Sequence, residues 1–283
     1  MLITALRVNG LRSQSWPTAN ASSVAYSPFE PDAEPHRLLQ DQGASLTDGE
    51  IDGLLWLTRI VGSFSLAGSL FILLSFSCFR ELRTFQTRLV VMMAVSDMLA
   101  TASYMIGSPL TLSDESVWCD VQAYGQTFLL SSVLWVSCVA YVLYQSVVRE
   151  VDMGAIEALE PRMHALCWGL PLLLGALPFI WKDYGPAGAW CWIQDQNDRA
   201  HVLRIMVFYL WLFILVPFCA VANLMTLRKF TTTIVATELP PAQLERMRGV
   251  FKRLVLYPLI LVVCWLPAMV NRAQQFITPD RYI

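Results

Sequence analysis

Six runs of mainly apolar residues recur along the chain, at 54–79, 89–112, 121–148, 163–181, 205–227 and 254–270, with short polar segments between them. A membrane helix needs about 20 such residues at 1.5 Å each. The pattern therefore predicts an all-α, polytopic membrane helical bundle of six spans, the sixth being the shortest. Arg59 near the start of the first run and Asp97 in the second are charges within these runs. The first three runs show no repeat in the last three, which argues against an inverted-repeat transporter.

Residues 1–50 break the pattern. They carry Pro17, Pro28, Pro31 and Pro35, several serines and more acids than bases, with no cysteine. Such a segment buries little apolar surface, so a disordered extracellular tail is expected there. A disulfide-stapled ligand-binding ectodomain is excluded, because it would need several cysteines. The apolar stretch at the N-terminus is too short for a signal peptide. The bundle is expected over 51–276 and the beginning of an outer loop over 277–283.

Orientation follows from Lys and Arg. One set of loops and flanks holds eleven: Arg80, Arg83, Arg88, Arg149, Arg162, Arg228, Lys229, Arg246, Arg248, Lys252 and Arg253. The opposite set holds five: Lys182, Arg199, Arg204, Arg272 and Arg281. The richer side is the cytoplasmic one, which puts the N-terminus outside in a multi-pass, plasma-membrane arrangement. The sequon "NAS" at Asn20 then lies where glycosylation occurs.

Composition sharpens this picture. The chain is 55% hydrophobic and 15% charged, with a net charge of −2, against about 25% charge in soluble domains. The near-neutral charge gives no basis for nucleic-acid binding. Histidines occur at His36, His164 and His201, with His164 at the very start of the fourth predicted run and none at metal-ligand spacing. No HExxH, GxSxG or phosphate-cradling glycine loop is present. Lys182, Lys229 and Lys252 fall outside the predicted spans. No enzyme chemistry and no cofactor are expected.

Seven cysteines remain to be placed. Cys138, Cys167, Cys219 and Cys264 fall in spans and Cys78 at a cytoplasmic end, where a small apolar residue suits the site. Cys119 and Cys191 share the outer, oxidising side, so a disulfide or two free thiols are the alternatives, and the bridge is the natural reading. It would pin the loop containing Trp190 and Trp192 across the third helix.

Polar and proline positions supply further candidates. Asp97 lies about 12 Å from the inner end of its span at 1.5 Å per residue; an intramembrane acid is either a functional site or an inward packing group bonded to Ser or Asn. Asn223 near the inner end of span five is an interhelical donor or a boundary residue. Pro171, Pro178, Pro217, Pro258 and Pro267 interrupt spans four to six, and each removes a backbone donor. Pro258 is the candidate pivot, because it adjoins Arg246, Arg248, Lys252 and Arg253. That cluster is either a coupling surface or a positive-inside anchor.

Three motifs carry a family resemblance. "CWGLP" at 167–171, "WCWI" at 190–193 and "YPLILVVCWLPAMVNR" at 257–272, with "SDML" in span two, resemble the cyclic-AMP-receptor-like family of seven-helix G-protein-coupled receptors, first known from slime moulds. A more distant similarity is to the secretin-like class. The resemblance implies a bundle that binds an extracellular ligand and activates a heterotrimeric G protein through the basic inner cluster. The family's disulfide maps onto Cys119 and Cys191. The family's small anionic ligand makes Lys182, Arg199 and Arg204 candidate contacts, although Asp183, Asp195 and Asp198 interleave with them. Span three ends in "YQSVVRE", without the DRY of rhodopsin-like receptors. Six spans against the family's seven lead to the expectation that the seventh helix is missing, with membrane lipid facing the surfaces it would cover. The competing readings are a transporter or channel, and the receptor module of a larger receptor–enzyme fusion.

Overall fold

A computed structural model of the chain describes residues 48–107, 117–187, 190–194, 198–236, 256, 259–266 and 269. Helix α1 (Asp48–Cys78) leads through a short 3-10 turn (Arg80–Leu82) into α2 (Phe85–Tyr104). The Thr84 side chain starts α2 by accepting the Thr87 N–H, and Arg83 donates to the Ser77 carbonyl at the end of α1 (2.8 Å). Both are ordinary ways of satisfying helix-end groups that lack an intrahelical partner. The second helix thus begins before position 89 and ends at Tyr104, eight residues short of the sequence-based limit. The helix stops ahead of Gly107 and Pro109, which favour turns over helix.

Helices α3 (Val117–Gly125) and α4 (Thr127–Val147) form one nearly continuous span, interrupted at Gln126. It is the axis of the bundle. About 72% of its apolar window is buried, against 11% for the window in α1. Trp135 is fully buried at its centre and packs edge-on against His164 and Trp168. Short helices α5 (Met153–Glu157) and α6 (Glu160–His164) lead through a π turn (Ala165–Gly169) into α7 (Leu170–Ile180). A two-stranded antiparallel hairpin follows, β1 (Tyr184–Pro186) and β2 (Cys191–Ile193), with Tyr184 opposite Ile193 and Pro186 opposite Cys191. Helix α8 (Asp198–Arg204), a second π turn (Ile205–Tyr209) and α9 (Leu210–Ala236) form the fifth span.

Among the described residues, four helices are long and apolar enough to cross a membrane: Leu55–Cys78, Val117–Val147, Met153–Ile180 and Arg199–Thr232. Helix α2 has the length, but Thr87, Arg88, Ser96, Asp97, Thr101 and Ser103 dilute its apolar content. It lies against the core through Leu89, Val90, Met93 and Ala100. Of the sixth run, 259–266 are helical, with Leu261 and Trp265 in the core. His201 and Lys229, placed outside spans by the apolar pattern, lie on helices that continue beyond the apolar stretches. The backbone hydrogen-bond ladder propagates past the hydrophobic limit wherever the polar residues are good helix formers.

Proline and a hydroxyl explain how the axis meets the fourth span. Pro171 has no N–H to offer the Cys167 carbonyl four residues before it. The Ser131 hydroxyl donates to that carbonyl instead, at 2.6 Å. Ser131 in turn accepts from Ser96 of α2 (3.3 Å), so one buried hydroxyl ties three spans.

Candidate functional site

Cys119 and Cys191 are joined by a disulfide with a Cα–Cα distance of 5.3 Å and a sequence separation of 72. It fastens β2 to α3 and lays the hairpin across one end of the bundle. The hairpin is a built structure on every side. Tyr184 donates its hydroxyl to the Gly175 carbonyl (2.7 Å). Burial, with Tyr124 and Asp120 nearby, pushes that phenol above its ordinary ionisation range. Arg199 grips the buried Asp183 carboxylate through two bonds, of 2.9 and 3.1 Å, and lies over the Trp181 ring. Arg204 donates twice to the Ile193 carbonyl (2.6 and 3.0 Å) and lies over Trp192.

The candidate cations therefore separate by role. Arg199 and Arg204 hold the hairpin, and their charges are met by Asp183 and by a backbone carbonyl. Lys182 is exposed and adopts a left-handed backbone (φ 55°) at the turn into β1. Sequence reasoning found the cysteines and named Asp183 only as an acid interleaving with the cations; it missed Gln122, Gln126 and Tyr184, which complete the same unit. Their signal was only that polar residues recur beside cysteines; nothing in the spacing named their partners.

An aromatic group lies beneath. Trp190 meets Tyr104 of α2 edge-on at 5.7 Å between ring centroids. Trp192 meets Tyr209 at 5.9 Å and Phe208 at 6.3 Å, and Phe208 meets Trp265 of the sixth run at 5.2 Å. The rings link the hairpin to α2 through Trp190, and to the second π turn and the sixth run through Trp192 and Phe208, each contact contributing about 0.5–1.5 kcal/mol beyond area burial.

Deeper in the bundle, Asp97 is half-buried beside Ser132 of α4. Asn223 is buried, and neither atom of its amide has a hydrogen-bond partner. Among the described residues, no group of three or more His, Cys, Asp or Glu is placed to hold a metal ion.

At the end away from the hairpin, Arg88 of α2 makes a two-pronged bond to Glu160 (2.8 and 2.9 Å) and a further bond to Glu157. Lys229 of α9 pairs with Glu150, which ends the third span in a left-handed conformation (3.0 Å; φ 55°). These contacts tie α2 to α5 and α6, and α9 to the end of the third span. Further along the sequence come Arg246, Arg248, Lys252, Arg253 and Pro258. Those five residues, Asn20, residues 1–47 of the expected tail 1–50 and the outer-loop residues 277–283 lie outside the described residues, while 48–50 already belong to α1.

Comparison with known proteins bears on what this arrangement is. Residues 47–279 match the slime mold cyclic AMP receptor family. The chain is 30% identical over 247 residues to G-protein coupled receptor 1 of Arabidopsis thaliana, covering 85% of this chain and 74% of that one. It is 30% identical to cyclic AMP receptor-like protein A of Dictyostelium discoideum over 61% of this chain, but spans only 46% of that relative's length. Squid rhodopsin superposes with a TM-score of 0.59 at 15% identity, over 83% of this chain and 73% of that one, which shows a shared helical-bundle fold. An apolar bundle threaded by one buried axial span, capped by a bridged hairpin and matched along most of its length, places this multi-pass membrane chain in the slime mold cyclic AMP receptor family of G-protein-coupled receptors.

Proposed function

We propose that the protein is a cell-surface receptor that carries an extracellular ligand signal to a heterotrimeric G protein. In this reading the N-terminal tail and the hairpin face outside, in the plasma membrane, and the Arg246–Arg253 segment faces the cytoplasm. The observation that carries it is the disulfide-bridged hairpin, since a disulfide persists on the oxidising side of a membrane. The excess of Lys and Arg on the opposite loops supports the same orientation. The ligand reaches the hairpin and the aromatic set beneath it. An anionic ligand would meet Lys182 freely but would have to compete with Asp183 for Arg199. Inside, Arg246, Arg248, Lys252 and Arg253 form the coupling surface, with Pro258 as the pivot of the sixth helix and electrostatic complementarity setting partner choice.

The test is a charge reversal. Arg248→Glu with Arg253→Glu should abolish G-protein activation in cells while surface level stays near wild type. Signalling that survives the double substitution, or an inverted topology, would reduce the cluster to a membrane anchor and remove this account of coupling.

A further inference from the structure

The hairpin is held at Cys191 by more than sulfur. Its two ladder ends are fixed by Gln194 N–H to the Asp183 carbonyl (2.8 Å) and Ala187 N–H to the Trp190 carbonyl (2.9 Å). Antiparallel pairs alternate between bonded and non-bonded. With that phase, the backbone groups of Cys191 and Ile193 point away from β1, toward the bundle. A two-stranded hairpin is marginal by itself, and an open strand edge leaves donors and acceptors to be satisfied.

The side chains of the third span satisfy them. Gln122 accepts the Cys191 N–H on its Oε1 (2.8 Å). Gln126 donates from its Nε2 to the Cys191 carbonyl (2.6 Å). Arg204 takes the Ile193 carbonyl, two residues along the same edge. The glutamines are four residues apart, the spacing that stacks side chains on one helix face. Both are buried. Each amide is also fixed at its other end: Gln122 Nε2 donates to the Gly107 carbonyl (2.9 Å), and Gln126 Oε1 accepts the Tyr104 hydroxyl (3.2 Å). Rotating the Gln122 amide by half a turn would set its N–H₂ against the Cys191 N–H and its oxygen against the Gly107 carbonyl. One orientation alone satisfies the set.

We infer that Gln122 and Gln126 form a second, redox-independent attachment of the hairpin to the third span, so that opening the Cys119–Cys191 disulfide leaves the hairpin seated. The two glutamines are positioning residues. They replace the missing third strand for β2 and connect its position to the end of α2 through Gly107 and Tyr104. Gln126 stands where the third span is interrupted, with its own backbone still in the helical region (φ −67°, ψ −15°).

The test uses the full chain, purified and placed in lipid nanodiscs, with N-ethylmaleimide as the probe and labelling read peptide by peptide. Cys119→Ser frees the Cys191 thiol, and the exposed Cys78 of the same molecule serves as reference. Two net hydrogen bonds are worth about ten-fold or more in the seated population. In Cys119→Ser, Cys191 should therefore label at least about ten-fold more slowly than Cys78. Adding Gln122→Ala and Gln126→Ala should raise its rate toward that of Cys78. If Cys191 in the single variant labels as fast as Cys78, or the added substitutions do not change its rate, the clamp does not exist. A second arm keeps the bridge. Gln122→Ala with Gln126→Ala in the otherwise native chain should speed amide hydrogen exchange across 184–193 while 210–226 stays protected. Unchanged exchange in the hairpin overturns the inference even where the triple variant does not fold.

Discussion

Ser131→Ala removes a single hydroxyl from a fully buried site. Ser131 is fully buried and donates to the Cys167 carbonyl at 2.6 Å. Pro171 cannot supply an N–H to that carbonyl, so truncation leaves a buried acceptor without its partner. The Ser96 hydroxyl, which also bonds to Ser131, keeps the Met92 carbonyl as an acceptor (3.0 Å) and adds little to the loss. An unsatisfied buried group costs about 1–3 kcal/mol, whereas interhelical bonds in membrane bundles average about 0.6 with a maximum near 1.7. The missing local donor places this site toward the top of the membrane range, at about 1.5 kcal/mol. The decisive measurement is a double-mutant cycle with Pro171→Ala. That substitution would return a backbone N–H to the Cys167 carbonyl, and the loss of the buried proline ring is common to both legs and cancels. Ser131→Ala should then cost only about 0.5 kcal/mol in the Pro171→Ala background, a coupling of about 1 kcal/mol. Equilibrium unfolding in bicelles reads all four corners. Equal costs of Ser131→Ala in both backgrounds would show that the hydroxyl is not standing in for the proline's missing donor.

Three further outcomes follow from single contacts. Cys119→Ala and Cys191→Ala should each lower the yield of folded protein, by the roughly 2–5 kcal/mol typical of a native disulfide, and the double variant should fare no worse than either single one; additive losses in a thermal-stability assay would refute the pairing. Gly125→Ala should be destabilising by about 1–3 kcal/mol, because an added Cβ would stand 2.4 Å from Ser103 Cβ of α2, and Ser103→Gly should restore most of it; failure of the rescue in unfolding measurements would place the strain elsewhere. Tyr184 has its phenol raised by burial, so the un-ionised form contributes stability that is fully present below about pH 10 and is lost as pH rises toward the folded-state value. Tyr184→Phe should flatten the alkaline limb of a melting-temperature profile above that pH, and an unchanged limb would mean another group controls it.

The motifs at 167–171, 190–193 and 257–272 carried the family, because each combines rare residues at fixed spacing. The cations of the outer loop were harder. Lys182, Arg199 and Arg204 look alike in sequence, yet Arg199 meets Asp183 sixteen residues earlier and Arg204 meets a backbone carbonyl. A side chain's partner across a loop depends on where the hairpin turns, and no local periodicity encodes that. The same holds for Gln122 and Gln126, which occupy ordinary positions on a mainly apolar span.

The sequence alone determined that the chain enters a membrane, since runs of about 20 apolar residues have no other stable environment. It determined which thiols share a compartment, because the Lys and Arg distribution orders the loops, and it carried the family in its tryptophan, cysteine and proline motifs. Tertiary structure alone decided which span is the axis. The apolar runs 54–79 and 121–148 look equally hydrophobic, but one window is 11% buried and the other 72%. Hydropathy cannot separate lipid from protein as a neighbour, because both are apolar; only the packing of small and polar groups between helices does so. Ser131 reaching the Cys167 carbonyl and the paired glutamines reaching Cys191 are decisions of that kind, each made by a buried polar group that hydrocarbon would leave unsatisfied.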